Sequence, residues 1–233
     1  MDSEPVGGRV ASTSAPLRCA VFISGSGSGM EAMVLAQRAS DLPHETTVVV
    51  SNHSSIEGLV RAEKLGIPTL VVERTLNGRT LTREEHEVEV MEQLAAYDVE
   101  FIVLSGYMRL LSPVFLAAWK HRIVNIHPSL LPNFPGAHAH RDVLEAKVNL
   151  SGCTVHLVDE GMDTGAIIAQ SPVPVFSDDD ETSLSHRVKT EEHRLYPRVL
   201  TWIAEGRVHL TACLLYTSPS PRAQRGSRMP SSA

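Results

Sequence analysis

The chain has 233 residues, of which 42% are hydrophobic and 21% are charged, and its formal net charge at pH 7 is −6. This is the composition of a globular protein, and a chain of this length can bury a core that folds without a disulfide or a metal ion. The acidic balance excludes a broad basic surface for nucleic acid, and no apolar run approaches the ~20 residues that a membrane span requires.

The N-terminal segment 1–16, MDSEPVGGRVASTSAP, carries acidic residues early and contains no hydrophobic core segment, so it lacks the pattern of a secretory signal. We predict that it is a disordered tail. The cysteines, Cys19, Cys153 and Cys213, are far apart and odd in number, which fits a reducing compartment and argues against a disulfide framework. The expected location is therefore the cytoplasm.

Apolar runs rich in β-branched residues alternate with helical patterns along the chain. Continuous runs of this kind are typical of strands buried on both faces of a parallel sheet. Strands are predicted at 19–24, 46–51, 69–72, 100–105 and 122–127. Helices are predicted at 29–39, 56–65, 82–97 and 182–205, and a hairpin of longer strands at 152–159 and 166–175. The third helix begins with Thr82, and Glu85 follows three residues later, which is the pattern of a capping box.

Alternating strands and helices predict βαβ units. We expect one α/β domain over residues 17–212, with a Rossmann-like, mostly parallel twisted sheet, helices on both faces and an antiparallel portion at the C-terminal end.

The segment 213–233, CLLYTSPSPRAQRGSRMPSSA, has no periodicity, and one interpretation is a disordered tail. The other is that it is not native, because CLLYTSPSPR can be back-translated to a common sequencing adapter and SRMPSSA resembles that adapter's distal end. We predict adapter read-through.

A glycine-rich loop, ISGSGSG at 23–29, joins the first predicted strand to the first helix. Gly25, Gly27 and Gly29 permit a tight turn and close approach of a ligand to the backbone, and amides at a helix start attract anions. The spacing is GxGxG and no Walker lysine follows, so a single phosphate is favoured over a dinucleotide or a nucleoside triphosphate. A tight turn that binds nothing is the structural alternative.

Asn125 and His127 belong to RIVNIH, the last predicted parallel strand. Residues two apart on a strand face the same side, and Pro128 ends the strand. Both side chains therefore lie at the carboxyl end of a strand, where open α/β sheets bind their ligands. An amide beside an imidazole suits polarising a carbonyl and handling a proton, although a histidine at a strand end can also be a satisfied hydrogen-bonding group with no catalytic role.

Three carboxylates follow a later strand in VDEGMDTG: Asp159, Glu160 and Asp163. They either form a solvated turn whose aspartates accept hydrogen bonds from the loop's own amides, or supply a carboxylate that stabilises an imidazolium and raises its pKa. The sequence alone does not separate these two interpretations.

A metal site is the rival use of the histidines. His138 and His140 form an HxH pair, which could complete a three-histidine site with His127 or His156. The loop has no nearby cysteine, and an isolated HxH pair is common by chance. We therefore expect no metal.

Five motifs together resemble the glycinamide ribonucleotide formyltransferase family, folate-dependent enzymes of purine synthesis. They are ISGSGSG, SGYMRLLSP, NIHPSLLPNFPGAHAH, GCTVHLVDEGMDTGAIIAQ and VKTEEHRLYP, in family order and at family-like spacing over residues 18–210. NIHPSLLP with a later DEGxDTG marks the wider superfamily, whereas SGYMRLLS and EEHxxYP narrow it to this branch. The resemblance implies transfer of a formyl group from 10-formyltetrahydrofolate to the amine of glycinamide ribonucleotide, with small-molecule substrates only, no metal, and a monomer or homodimer.

The resemblance also implies roles for individual residues. Asn125 would hydrogen-bond the formyl oxygen, His127 would act as general acid and electrostatic stabiliser, and Asp163 would tune His127 and help to shuttle protons. Glu192 would contact the ribose side of the nucleotide. The phosphate would bind to Gly27, Ser28 and Gly29. The folate site would contain Arg83, Met108, Arg109, Leu111 and Asp159.

This chain departs from the family pattern at three positions. The family loop usually reads GNGSN, but here Ser26 and Gly29 replace the two asparagines, so that position 29 contributes only its amide. Lys189 stands where a glutamine is common, near the substrate side, and can strengthen anion binding.

Three other functions share part of this pattern. Methionyl-tRNA formyltransferase has the same core but adds a C-terminal RNA-contacting domain, and formyltetrahydrofolate hydrolase transfers the formyl group to water and usually adds an N-terminal regulatory domain. We expect neither, because the sequence shows no segment for such a domain. A non-catalytic folate- or nucleotide-binding module is the third alternative, but binding alone does not require Asn125, His127 and Asp163 together.

Overall fold

The computed structural model of the protein describes residues 4–76, 78–210 and 215–217. Twelve strands lie in these ranges: β1 (Glu4–Pro5), β2 (Leu17–Ile23), β3 (His44–Ser51), β4 (Thr69–Val71), β5 (Thr75–Leu76), β6 (Arg79–Thr80), β7 (Phe101–Leu104), β8 (Ile123–His127), β9 (Leu150–Leu157), β10 (Ile167–Pro174), β11 (Val208–Leu210) and β12 (Leu215–Thr217). Six α-helices accompany them: α1 (Ser28–Ala39), α2 (Glu57–Lys64), α3 (Arg83–Leu94), α4 (Pro113–Ala118), α5 (Ala139–Glu145) and α6 (Glu181–Ala204).

A seven-stranded sheet with the order β10-β9-β8-β7-β2-β3-β4 forms the centre of the domain. The five strands from β8 to β4 are parallel, whereas β9 and β10 form an antiparallel hairpin on β8. The predicted α/β fold, with its C-terminal antiparallel portion, is therefore confirmed. The chain runs outward from β2 to β4 and then returns to β7, so the strand order reverses between β2 and β7. Ligands of open α/β sheets bind at such a switch point.

Two hydrophobic clusters flank the sheet, one on each face. In β2, Val21 and Ile23 point into the cluster that α1 and α6 cover. The neighbouring Ala20 and Phe22 point into the other, which α3 and α4 cover. Strand side chains alternate between faces, so a continuous apolar run is what a strand covered by helices on both sides requires. No helix in the ranges given above has the length and apolarity to cross a membrane.

The starts of α3 and α6 follow capping signals in the sequence. At α3 the predicted capping box is confirmed, because Glu85 N donates to Thr82 Oγ1 at 3.1 Å and Thr82 N donates to Glu85 Oε2 at 2.9 Å. At α6 a second box forms between Asp180 and Ser183, so this helix begins one residue before the predicted Thr182. Each box satisfies amides that the first turn of a helix cannot pair internally.

The N-terminal segment is a correction to the sequence analysis. The predicted disorder does not hold for residues 4–16, and residues 1–3 lie outside the described ranges. Strand β1 pairs with β11, Val6 and Ala11 are buried in the core, and Arg9 donates to both carboxylate oxygens of Glu100 at 2.6 and 2.7 Å. A short sequence with two small apolar side chains carries no periodic signal, so only the tertiary contacts reveal its place.

Most of the predicted adapter-derived tail lies outside the described residues. Only 215–217 is described, as β12, which pairs antiparallel with β11. The non-native origin of 213–233 therefore stays a prediction.

His44, at the start of β3, links this strand to α6 through hydrogen bonds. Its Nδ1 lies 3.0 Å from Gln37 Nε2, and its Nε2 lies 3.1 Å from the carbonyl oxygen of Pro197, within α6. Burial lowers the pKa of His44 from 6.5 to about 4, against the raising effect of the Pro197 carbonyl. The folded state therefore holds this imidazole neutral at pH values where the unfolded chain protonates it.

We expect the free energy of unfolding to decrease as the pH falls from about 6.5 to about 4, by up to about 3 kcal/mol, because the unfolded state binds the His44 proton first. Urea unfolding at a series of pH values checks this. His44→Gln should flatten the profile across that window, whereas the control His53→Gln, at an exposed histidine, should not. A profile that is equally steep in His44→Gln would show that another group is responsible.

Candidate active site

A cavity of about 560 Å³ opens at the switch point of the sheet. Its wall combines the loop after β2, the loop after β7, the carboxyl end of β8, the loop after β9 and one face of α6. The sheet topology thus brings together segments that are far apart in sequence.

The glycine loop forms one side of this cavity and ends at the start of α1. Gly27 has φ +70°, in the left-handed region, and a Cβ added there would lie 2.6 Å from Gly58 Cα. Both the backbone conformation and the close approach of α2 therefore require glycine at position 27. No side chain caps α1, so the amides of Ser28 and Gly29 remain available to an anion at the positive end of the helix.

Asn125 and His156 face each other across the antiparallel pair β8–β9. The Asn125 amide donates to His156 Nε2 at 3.2 Å, and His156 Nδ1 donates to the Leu157 carbonyl at 2.8 Å. A neutral ring with its proton on Nδ1 makes both bonds, because Nε2 is then the acceptor. Nε2 also lies 3.6 Å from Asp163 Oδ1, and a protonated ring would donate there instead. One amide hydrogen of Asn125 is thereby fixed, and the other is left for a ligand in the cavity.

Asp163 lies beside His127. Its Oδ2 is 3.3 Å from His127 Nδ1 and accepts a hydrogen bond from Gly136 N at 2.8 Å. On its other side, His127 Nε2 donates to the carbonyl oxygen of Phe134 at 2.8 Å. A protonated His127 can donate to both acceptors at once, whereas a neutral ring can donate to only one of them.

The electrostatics of this pair favour an ionised carboxylate and lower the pKa of the histidine. The pKa of Asp163 is lowered, first by the nearby His156 and then by the Gly136 amide. Burial lowers the pKa of His127, while the Phe134 carbonyl and Asp163 act in the opposite direction. The ionised carboxylate of Asp163 can therefore stabilise a positive charge on His127 when this histidine is protonated.

Helix α6 presents a polar face to the same cavity. Burial raises the pKa of Glu192 to about 7, against the lowering effect of Lys189. In the described part of the chain, His140 Nδ1 and His193 Nε2 are buried without a hydrogen-bond partner. Unpaired buried polar atoms around a cavity are the pattern expected where a polar ligand binds.

Tyr196 ties this helix to the strands beneath it. Its buried hydroxyl lies 2.8 Å from the Leu104 carbonyl oxygen and 3.1 Å from the Val124 carbonyl oxygen, on β7 and β8 respectively. The position of α6 relative to the end of β8 is therefore set by a direct polar contact.

The structure brings eleven of the twelve predicted site residues to this cavity. They are Gly27, Ser28, Gly29, Met108, Arg109, Leu111, Asn125, His127, Asp159, Asp163 and Glu192. Arg83 is the exception, because it is exposed on the first turn of α3 and does not line the cavity. The buried side of that helix turn carries His86 and Glu87 instead.

Sequence reasoning missed His156 as a partner of Asn125. The one available signal was its position two residues after Thr154, which places both polar side chains on the same side of a strand, but the pairing with β8 cannot be read from this.

The two histidines of the HxH pair lie apart: His140 lines the cavity, whereas His138 is exposed at the start of α5. Among the described residues, no group of three or more His, Cys, Asp or Glu side chains is placed to hold a metal ion.

Fold and site together define a Rossmann-like α/β protein. Its switch-point cavity places an uncapped helix start near an amide, an imidazole and a carboxylate. A family model described as formyl transferase matches residues 17–200 of the chain. The chain therefore belongs to the formyl transferase family, as the sequence motifs predicted.

Named relatives place it more narrowly within that family. The chain is 47% identical over 191 residues to the trifunctional purine biosynthetic protein adenosine-3 of Drosophila pseudoobscura pseudoobscura, covering 81% of this chain and 14% of that protein. It is 39% identical over 191 residues to the phosphoribosylglycinamide formyltransferase of Escherichia coli (strain K12), covering 82% of this chain and 88% of that one. The chain thus spans about one seventh of the trifunctional relative's length.

Two solved structures have the same fold as this chain. Glycinamide ribonucleotide transformylase 1 from Symbiobacterium toebii superposes with a TM-score of 0.82 at 39% identity, over 87% of this chain and 94% of that one. Phosphoribosylglycinamide formyltransferase from Brucella melitensis gives a TM-score of 0.76 at 45% identity, over 84% and 100%. The fold is therefore shared along nearly the whole domain.

Proposed function

We propose that this chain transfers the formyl group of 10-formyltetrahydrofolate to the amine of glycinamide ribonucleotide. The observation that carries the proposal is the meeting of Asn125, His127 and Asp163 in one cavity with the uncapped start of α1. The three side chains suit chemistry at a carbonyl, and the free amides at the start of α1 suit the binding of a phosphate. Relatives of 39% and 47% identity that are named for this transfer or for purine synthesis support the same function.

The reaction begins when the amine nitrogen attacks the formyl carbon. A C–N bond forms, and the carbonyl double bond becomes a C–O⁻ single bond in a tetrahedral intermediate. The free amide hydrogen of Asn125 donates to this oxygen, and the bond to His156 holds the amide in place. Such a donor accelerates the reaction because it interacts more strongly with the developing charge than with the ground-state carbonyl.

The intermediate then collapses. The bond from the formyl carbon to N10 of the folate breaks, N10 gains a proton, and the attacking nitrogen loses one. His127 is the proton donor and electrostatic stabiliser: the protonated ring keeps its Nε2 proton on the Phe134 carbonyl at 2.8 Å, and the Nδ1 proton, 3.3 Å from Asp163 Oδ2, is the one that passes to N10. The ring lies on the same side of β8 as Asn125. Asp163 accepts the proton from the amine side and keeps the net transfer within the site.

The nucleotide is bound by the glycine loop and α6. The amides of Ser28 and Gly29 bind the phosphate, and Lys189, which also lines the cavity, adds a positive charge. Glu192 accepts a hydrogen bond from the ribose side. Because the pKa of this carboxyl is raised to about 7 by burial, a bound hydroxyl that donates to it favours the ionised form.

The folate lies along the segment that follows β7 and the loop that follows β9. Met108 and Leu111 give this wall an apolar surface, and Arg109 has a buried Nη1 without a protein partner among the described residues. The turn at Asp159 is held by its own contacts with Gly161 N and Thr164 Oγ1, at 3.1 and 2.7 Å. Its backbone is thereby ordered for the pteridine ring.

Absorbance of the folate product tests the function directly. The chain is mixed with a 10-formyl folate, with and without glycinamide ribonucleotide, and deformylation is followed. We expect turnover only when the ribonucleotide is present. Turnover without it would identify a hydrolase, and cofactor binding without any turnover would identify a binding module; either result contradicts the proposal.

A further inference from the structure

Gly29 and Ser105 compete for one position beside the start of α1. A Cβ added to Gly29 would lie 2.5 Å from Ser105 Oγ but 3.9 Å from Ser105 Cβ. The first distance is a clash, whereas the second is an ordinary van der Waals contact. The hydroxyl of Ser105 therefore occupies the space that a side chain at position 29 would need.

The backbone does not by itself require glycine at position 29. This residue is the second of α1 and is absent from the described glycines with positive φ, unlike Gly27. An L-residue can adopt the helical conformation there without strain. A side chain at position 29 would therefore be limited by the neighbouring Ser105 hydroxyl and not by the backbone.

The backbone amide of Ser105 is hydrogen-bonded, whereas its hydroxyl, among the described residues, is not. It directly follows β7, and its amide donates to the Phe22 carbonyl at 2.9 Å. Its side chain lines the cavity next to the glycine loop, and within the described ranges its hydroxyl has no hydrogen-bond partner. By contrast, the hydroxyl of Ser24 bonds to Asn52 and that of Ser112 bonds to Glu87.

We propose that Ser105 Oγ is a ligand of the phosphate bound at the start of α1, in place of the side chain that position 29 lacks. The proposal rests on the function proposed above and names a further specificity-determining residue for it. The donor has moved from the loop after β2 to the end of β7, so that residues 29 and 105 form one coupled pair. In this chain a larger residue at one position requires a smaller residue at the other.

The physical gain from this arrangement is a pre-positioned donor. A serine hydroxyl has few rotamers, and the strand end beneath it is fixed by the Phe22 contact. A hydrogen bond to a charged phosphate is stronger than one between neutral groups. Its loss should weaken binding by about tenfold.

Steady-state kinetics of Ser105→Ala test the proposal. We expect the KM for glycinamide ribonucleotide to rise by about tenfold, with kcat and the KM for the formyl folate unchanged within a factor of about two. Ser105→Thr keeps the hydroxyl and should retain most of the affinity. Ser54→Ala, at an exposed serine outside the cavity, is the matched control and should behave like the unmodified chain.

The coupling is tested by a double-mutant cycle. Gly29→Ala alone should weaken ribonucleotide binding because its Cβ meets the hydroxyl, whereas the same change in the Ser105→Ala background should cost little. Gly29→Asn combined with Ser105→Ala should recover affinity, since an amide then replaces the hydroxyl. Additive effects of the single changes would overturn the coupling.

Binding of ribose 5-phosphate, measured by calorimetry, separates this proposal from the catalytic one. If the unmodified chain turns over the ribonucleotide and Ser105→Ala has an unchanged KM, the Ser105 role is wrong and the function stands. If the unmodified chain shows no turnover, the proposed function fails, and weaker ribose 5-phosphate binding by Ser105→Ala still supports the Ser105 role. Equal binding by both chains overturns it.

Discussion

Asn125→Ala should lower kcat for formyl transfer by about 10²–10³-fold, while the affinities for both substrates change by no more than a few-fold. The reason is that the Asn125 amide has one hydrogen held by His156 at 3.2 Å and one directed to the ligand. That second hydrogen is used fully only when the formyl oxygen carries negative charge. Single-turnover kinetics with saturating substrates measure the chemical step directly.

The control for this change is Asn149→Ala, at an exposed asparagine just before β9. It alters the same side chain away from the cavity and should leave kcat unchanged. An Asn125→Ala chain with normal kcat would exclude this residue as the oxyanion donor, and a large rise in the folate dissociation constant alone would make it a binding residue.

Asp163→Asn should lower kcat by about 10²-fold at neutral pH and shift the pH profile. In the proposed mechanism activity requires protonated His127, so it should decline as the pH rises through the pKa of this histidine. Asp163 raises that pKa against the lowering effect of burial. Removing the charge lowers the pKa of His127 further, and the midpoint of the decline should therefore move to lower pH.

This substitution is conservative for the backbone. Asp163 has φ 57°, in the left-handed region that asparagine tolerates as well as aspartate, and the asparagine carbonyl can still accept from Gly136 N. Asp178→Asn, at an exposed aspartate outside the cavity, is the matched control. The pH dependence of kcat in the two variants is the measurement, and an unmoved midpoint in Asp163→Asn would make this residue a turn-former only.

The parts of the fold that the sequence predicted are those with strong local signals. A continuous apolar run predicted a strand at 46–51, and the structure extends it only to His44, where a polar side chain hides the start of the strand. The helices α4 and α5, of six and seven residues, are too short for a periodicity to be recognised. Elements fixed by tertiary contacts alone, such as β1, could not be predicted.

The candidate site divides in the same way. Asn125 and His127 were predicted to lie on one side of a strand end, because strand side chains alternate and a proline follows His127. Asp163 was one of three candidate carboxylates, and only the family resemblance singled it out. His156 depends on the register of β8 with β9, which no local pattern contains. Arg83 does not line the cavity, because the first turn of α3 carries it toward solvent, and its folate role stays a prediction from the family resemblance.

The hydroxyl of Tyr196 has a kinetic consequence. It joins α6, which carries Lys189 and Glu192, to β7 and to β8, the strand that carries Asn125 and His127. In the proposed reaction, the distance between the residues that would bind the nucleotide and those that would act on the formyl group is therefore set by the folded chain before either substrate binds. Translational and rotational freedom is then lost on binding rather than in the chemical step. The proposed reaction would then bring the amine to the formyl carbon at an effective molarity that the scaffold determines.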